Sequence, residues 1–228
     1  MQSSDKISVS EDAAEEQKIV LGKRESKYRL IQDNFLTPSE CEILGEFARQ
    51  KCVLGDGYGG NPHPHTPNES FYGYSINGRG DVSHPSHILT LQVMMRTRKL
   101  LMWHFRLPFL WVDFGHLVMR KVDSAVIEEE FSHPWHFDDQ SAGVRYRTHT
   151  AIMYINDNFT GGETCFKETD FGPFREVRPS PGRLVAFSAK ENAHAVRKLK
   201  SGERYVLNVW FSTNWRKYRN HRKIFRTP

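Results

Sequence analysis

The sequence has no apolar run long enough to cross a bilayer. Its longest apolar cluster, Leu100 to Trp111, is broken by His104, Arg106 and Pro108, short of the ~20 residues a spanning helix needs. It also lacks the basic-then-apolar opening of a secretory leader, since Met1-Gln2-Ser3-Ser4-Asp5 is polar. As the sequence stands, the expectation is a cytoplasmic protein, unless it is a trimmed piece of a longer one. Cysteine is scarce: Cys41, Cys52 and Cys165 make no dense disulfide framework. Cys41 and Cys52 lie about three helical turns apart and could not pair within one straight helix. Neither an internal repeat nor a low-complexity tract is present. Residues 214–228 contain no acid, yet they carry Arg216, Lys217, Arg219, Arg222, Lys223 and Arg226, which accounts for the net charge of +5. A solvated C-terminal helix explains this tail, so no nucleic-acid partner is expected.

What remains is an ordinary globular composition, 38% apolar and 26% charged over 228 residues, enough for one substantial core. Residues 1–26 are polar and poor in large apolar groups and are expected to be a disordered tail, leaving a single domain over 27–228. Tyr28 to Ile31 reads as a first strand. Thr37-Pro38-Ser39-Glu40 is a capping box that opens a helix, with Ile43, Leu44 and Phe47 on its apolar face and a stop near Gly55-Asp56-Gly57. Residues 55–81 read as a long loop rich in Gly, Pro and aromatics. Tyr58, Phe71, Tyr72 and Tyr74 in it suggest either a mobile lid over a peptide or a cluster packed against the helical front. His63 and His65 within it lack a third ligand at suitable spacing. A second helix over 86–105 places Leu91, Met94, Leu101 and Phe105 on a core face.

From Trp111 the pattern turns to strands, near 111–122, 131–138, 147–156, 163–167, 183–188, 193–198 and 203–212. Short strands after a helical front imply a mostly β, α+β architecture with a double-stranded β-helix core, a cupin-like jelly roll. Gly161-Gly162 reads as a hairpin turn. In the last strand Tyr205, Leu207, Val209 and Phe211 share one face, and Arg204, Val206, Asn208 and Trp210 the other. An arginine on a strand face inside such a domain needs an anion, because an unpaired buried charge is costly.

The chemistry-bearing stretch is Ser132-His133-Pro134-Trp135-His136-Phe137-Asp138-Asp139. His136 and Asp138 stand two apart, so an extended strand turns both to one face, while His133 and Asp139 point off it. His194 follows 58 residues on, and Arg204 ten residues after that. Two histidines and one carboxylate are the facial set that holds ferrous iron and leaves positions open.

With His136, Asp138, His194 and Arg204 in these strands, the chain resembles the iron- and 2-oxoglutarate-dependent dioxygenases. It is most similar to the catalytic domain of leprecan-type prolyl 3-hydroxylases. The likeness runs over most of 36–212. It is carried by Gly55-Asp56-Gly57-Tyr58, His65-Thr66-Pro67-Asn68-Glu69, His116-Leu117-Val118, Ser132-His133-Pro134, Tyr154-Ile155-Asn156-Asp157, Gly161-Gly162-Glu163, Asn192-Ala193-His194-Ala195-Val196 and Val209-Trp210-Phe211. Asp139 stands where that family usually has Asn. The resemblance implies Fe(II), 2-oxoglutarate and ascorbate as cofactors, and a proline-containing peptide or protein as substrate. For the longer family proteins it implies the endoplasmic reticulum. It implies His136, Asp138 and His194 as metal ligands, Arg204 and Tyr154 on the far carboxylate of 2-oxoglutarate, and Arg120 as a cosubstrate or substrate contact. Three readings stay open beside a prolyl hydroxylase: a silent binding module of the same fold, a hydroxylase of another substrate, and a nucleic-acid demethylase.

Overall fold

The computed structural model describes residues 28–55, 69–76, 84–122, 130–168 and 173–225. The expected tail at 1–26, Tyr58, His63 and His65 lie outside them. In chain order the elements are β1 (Arg29–Gln32), α1 (Pro38–Lys51), β2 (Val53–Leu54), β3 (Glu69–Ile76), α2 (Pro85–His104), β4 (Trp111–Val122), β5 (Phe131–His136) and β6 (His149–Tyr154). They continue with β7 (Phe159–Gly161), β8 (Thr164–Lys167), β9 (Phe174–Val177), β10 (Leu184–Ser188), β11 (His194–Arg197), β12 (Leu199–Ser212), a short 3-10 turn at Trp215–Lys217, and α3 (Tyr218–Phe225).

The strands form two sheets, as a jelly roll requires. The larger runs β1-β10-β6-β12-β4-β3-β2, with β7 also on β12; the smaller runs β5-β11-β8-β9. The central strand β12 sorts its side chains by parity into two cores. Tyr205, Leu207, Val209 and Phe211 pack with α1 and α2 on the outer face of the large sheet. Val206 joins Tyr154, Phe166, Phe187 and Val118 in a second core between the sheets. Arg204 has the same parity as Val206 and is therefore carried into that inner space, 2% exposed.

The helices form as the sequence dictates. Thr37 accepts the Glu40 N–H while Glu40 accepts the Thr37 N–H, and Pro38 occupies the first turn. Leu44 and Phe47 are buried, but Ile43 is 40% exposed, off the face that meets the sheet. Glu40 also takes Arg96 of α2 in an ion pair at 2.8 Å, tying the two helices together.

The expected loop over 55–81 is corrected by β3, an eight-residue strand within it. Phe71 lies in the inner core, Tyr74 stands edge-on to Phe47 at 5.4 Å, and Lys121 lies over Tyr72. These aromatics are thus packed against sheet and helix and do not form a free lid. Gly161-Gly162 is corrected too. β7 pairs with β12 in one sheet and β8 with β11 and β9 in the other, so the glycines carry the chain between sheets and do not close a hairpin.

Candidate metal centre and anion pocket

Three side chains converge at one end of the space between the sheets. A ligand atom from each of His136, Asp138 and His194 lies within 4.8 Å of the others, with Asp138 Oδ1 at 3.7 Å from His136 Nε2 and 3.9 Å from His194 Nε2. His136 ends β5 and His194 begins β11, and the two are direct cross-strand partners. Asp138 does not continue the strand; it sits in the turn after it, so backbone reversal brings the carboxylate round to the imidazoles. Strand parity therefore no longer governs Asp139, which shares that turn.

His133 departs from the expected parity for a definite reason. His194 pairs with His136 and Val196 with His133, so three steps on β5 match two on β11. That is a β-bulge, and its extra residue flips the alternation. His133 accordingly falls on the same side as His136, and the two rings stack at 3.9 Å with planes 4° apart.

The imidazoles are held ready to bind a cation. His136 Nδ1 lies 2.8 Å from the Pro134 carbonyl and His194 Nδ1 3.2 Å from the Asn192 carbonyl. A carbonyl only accepts, so each Nδ1 must carry the proton and each Nε2 presents a lone pair. Burial pushes the His194 imidazole down to about 4, against the pull of Asp138, so it is neutral at pH 7. Burial also resists ionisation of Asp138. The two imidazoles and the Thr150 hydroxyl, which donates to Oδ2 at 2.5 Å, more than offset this and hold the carboxyl well below the usual carboxylate range. Two imidazoles converging on an ionised carboxylate fit a divalent cation.

Further along the same inner face lies a pocket built on arginine. The Arg204 Nε–H donates to the Gly162 carbonyl at 2.9 Å, and its guanidinium lies over the Tyr154 ring at 5.2 Å. No carboxylate of the described residues pairs with it. Gly162 has φ +70°, and a Cβ there would come within 2.8 Å of Arg204 Cδ, so glycine is needed both for the turn and to seat the arginine. The Tyr154 hydroxyl is 2.6 Å from Thr164 Oγ1, both fully buried. Arg120 is the cross-strand partner of Arg204. It donates to Ser132 Oγ at 2.8 Å and lies 3.5 Å from Glu69 Oε2.

Sequence reasoning missed Thr150, Ser132, Thr164 and Glu69, whose roles depend on contacts between strands distant in the chain. It also missed Arg29, which grips the Asn192 side chain at 3.0 Å and so steadies the carbonyl that orients His194. Ser132, Glu69 and Asn192 stand in motifs that carry the resemblance, but nothing local to them names a partner.

The two sheets and the two-histidine, one-carboxylate cluster define a jelly-roll protein with a side-chain set that could hold a divalent metal. Residues 122–212, which contain that cluster and Arg204, match the family model of the 2OG-Fe(II) oxygenase superfamily; Fe(II) and 2-oxoglutarate are the cofactors of that family. The chain is similar to prolyl 3-hydroxylase 1 of Homo sapiens, 32% identical over 207 residues, and of Rattus norvegicus, 31% identical; each match covers 81% of this chain and 28% of the relative. Prolyl 3-hydroxylase 2 of Mus musculus is 30% identical over the same share of the chain and 29% of its own. The chain thus spans under a third of the length of these curated relatives. Among solved structures, a Pseudomonas putida prolyl-4-hydroxylase superposes with a TM-score of 0.58 at 18% identity, over 81% of this chain and 91% of that one. A Trichoplax adhaerens prolyl hydroxylase, solved with a hypoxia inducible factor peptide, gives 0.59 at 16% identity, over 85% and 87%. At these identities the structures bear out the jelly roll. Among the described residues, no helix is long and apolar enough to cross a membrane.

Proposed function

We propose that the chain, one domain over 27–228, is an Fe(II)- and 2-oxoglutarate-dependent hydroxylase acting on a prolyl residue of a peptide or protein, with ascorbate as supporting reductant. The observation that carries this reading is the pairing of the His136–Asp138–His194 cluster with a buried arginine on the same inner face. Ferrous iron would supply dioxygen chemistry, coupling loss of carbon dioxide from 2-oxoglutarate to insertion of one oxygen atom into a C–H bond.

The residues do the rest. His136 Nε2, His194 Nε2 and Asp138 Oδ1 would bind the metal on one side, leaving the opposite side open. Thr150 fixes the carboxylate, and the Pro134 and Asn192 carbonyls fix the ring tautomers. Arg204 would take the far carboxylate of 2-oxoglutarate, its forked donors matching two oxygens where lysine offers a point charge. Tyr154 can donate its O–H to that carboxylate while accepting from Thr164. Phe166, Phe187 and Val206 line the same space and keep it dry.

The test is to supply Fe(II), ascorbate and labelled 2-oxoglutarate, with and without proline-containing peptides. Release of labelled succinate coupled to gain of one oxygen atom on proline is expected. Uncoupled or absent turnover with every peptide would point to another substrate or a silent module. With a methylated oligonucleotide in place of the peptides, loss of a methyl group as formaldehyde would point to the demethylase.

A further inference from the structure

Glu69 closes a motif that the metal centre and the cosubstrate contacts leave unused. It opens β3, its side chain is fully buried, and it reaches two places at once. One oxygen accepts the backbone N–H of Leu199 at 2.7 Å, at the start of β12. The other lies 3.5 Å from Arg120. Arg120 and Arg204 stand directly opposite each other on β4 and β12, with Phe71 beyond on β3. Both arginines are 5% exposed or less. The pocket floor therefore holds two guanidiniums and one carboxylate, a net charge of one positive. Two like charges side by side away from water are strongly unfavourable unless something neutralises them. The Arg120 guanidinium is pushed down to about 10, by burial first and by Arg204 among the charges, against the pull of Glu69; it still carries its proton at pH 7.

We propose that Glu69 sets the charge of the cosubstrate pocket: it claims Arg120 through a buried ion pair and leaves Arg204 as the one guanidinium for a single incoming carboxylate. This rests on the assignment of Arg204 to the far carboxylate of 2-oxoglutarate. Glu69 is then a positioning residue. It never touches the ligand, but it decides how many positive charges the ligand meets. Arg120 has the complementary duty of keeping Glu69 off Arg204. Ser132 completes the arrangement by accepting a hydrogen bond from Arg120 at 2.8 Å, while its own hydroxyl faces the carbonyls of Val196 and Arg197 on the small sheet.

A charge cycle tests this. Wild type, Glu69→Gln, Arg120→Gln and the double variant are loaded with Mn(II) and titrated calorimetrically with 2-oxoglutarate and, separately, with inorganic sulfate. Arg120→Gln frees Glu69 to pair with Arg204, so 2-oxoglutarate binding should weaken by about 10-fold or more, the scale of one charged hydrogen bond. The double variant restores one net positive charge and should return to within about 3-fold of wild type. Glu69→Gln exposes both guanidiniums to the ligand and should raise affinity for sulfate, a dianion, by about 10-fold or more. Purely structural roles predict the opposite for the double variant, which would then be worse than either single change. A double variant no better than Arg120→Gln, or a sulfate affinity unmoved by Glu69→Gln, overturns the proposal. Should Arg120→Gln fail to fold, the sulfate comparison between wild type and Glu69→Gln decides alone. If wild type takes up no 2-oxoglutarate, the cosubstrate reading falls, while the order of sulfate affinities still decides the charge arrangement.

Discussion

Single atoms at the site carry more than their size suggests. The Thr150 hydroxyl is one of the few groups that touches a metal-ligand candidate without itself being one, through its bond to Asp138 Oδ2. Thr150→Val keeps the shape and removes the donor. Metal affinity should then fall about 10-fold, at the lower end of what an outer hydrogen bond to a ligand contributes. Titration of the metal-free protein with Mn(II) or Co(II) measures it, and an unchanged affinity would remove Thr150 from the centre. Gly162 poses a steric question of the same scale. Its φ of +70° disfavours any Cβ, and that Cβ would collide with Arg204 Cδ. Gly162→Ala should therefore weaken 2-oxoglutarate binding by about 10-fold while leaving metal binding intact, because Arg204 must swing off its seat and the metal ligands do not move. Equal loss of both would mean that the turn as a whole had failed. His133 is bound to the same neighbourhood by its stack on His136, so His133→Ala is expected to loosen the metal site where regular strand parity predicts no effect.

At the scale of elements, α1 has the clearest local logic. Thr37 and Glu40 satisfy each other's backbone N–H groups, and Glu40 also holds Arg96 of α2. Thr37→Ala should cost about 1 kcal/mol of unfolding free energy, the usual loss for such a cap. Chemical denaturation would register it as a shifted midpoint with unchanged slope. This element was legible in the sequence because the box is a local code. β4 and β12 were legible because their alternation faces two different cores, one under the helices and one between the sheets. That alternation is what carried Arg204 inward. β3 was not legible, for a physical reason. Both of its faces are covered, so the apolar-polar contrast is lost, and its inner face near the site carries Gly73 and Ser75 where a core strand would carry large apolar groups. The bulge in β5 was equally hidden, since only pairing with β11 reveals that one residue is extra. The convergence of His136, Asp138 and His194 could still be read, because two histidines at strand positions and one acid two residues on tolerate the turn that follows β5. Thr150, Ser132 and Glu69 could not, because nothing near them in sequence announces their partners.

Across the whole molecule, buried histidines tie the fold to pH. Burial alone pushes His149 down to about 4; it lies between the Phe105 ring and the Thr148 hydroxyl, where β6 meets the end of α2. Burial, and then the like charge of Arg98, push His221 to about 4 as well. His221 Nδ1 accepts the Val112 N–H at 3.3 Å, which holds α3 on β4; protonation would remove that acceptor. Both folded-state values lie below the unfolded value near 6.5. Above pH 6.5 neither chain state binds these protons, and the full stability is present. Between 6.5 and 4 the unfolded chain takes up protons that the folded chain refuses, so stability falls as pH falls. Below about 4 these two groups remove nothing further. For His149 the loss should be on the order of 2 kcal/mol; for His221, only about half buried, screening by water reduces it to on the order of 1 kcal/mol. Thermal unfolding of the metal-free protein from pH 7 to 4.5 should therefore show a steady drop. His149→Phe should flatten that slope, since phenylalanine fills the same apolar site and cannot charge. His221→Phe should flatten it less and should abolish any acid-induced increase in protease cleavage near 213–218, where α3 would lift off. A slope unchanged in both variants would place the acid sensitivity elsewhere in the molecule.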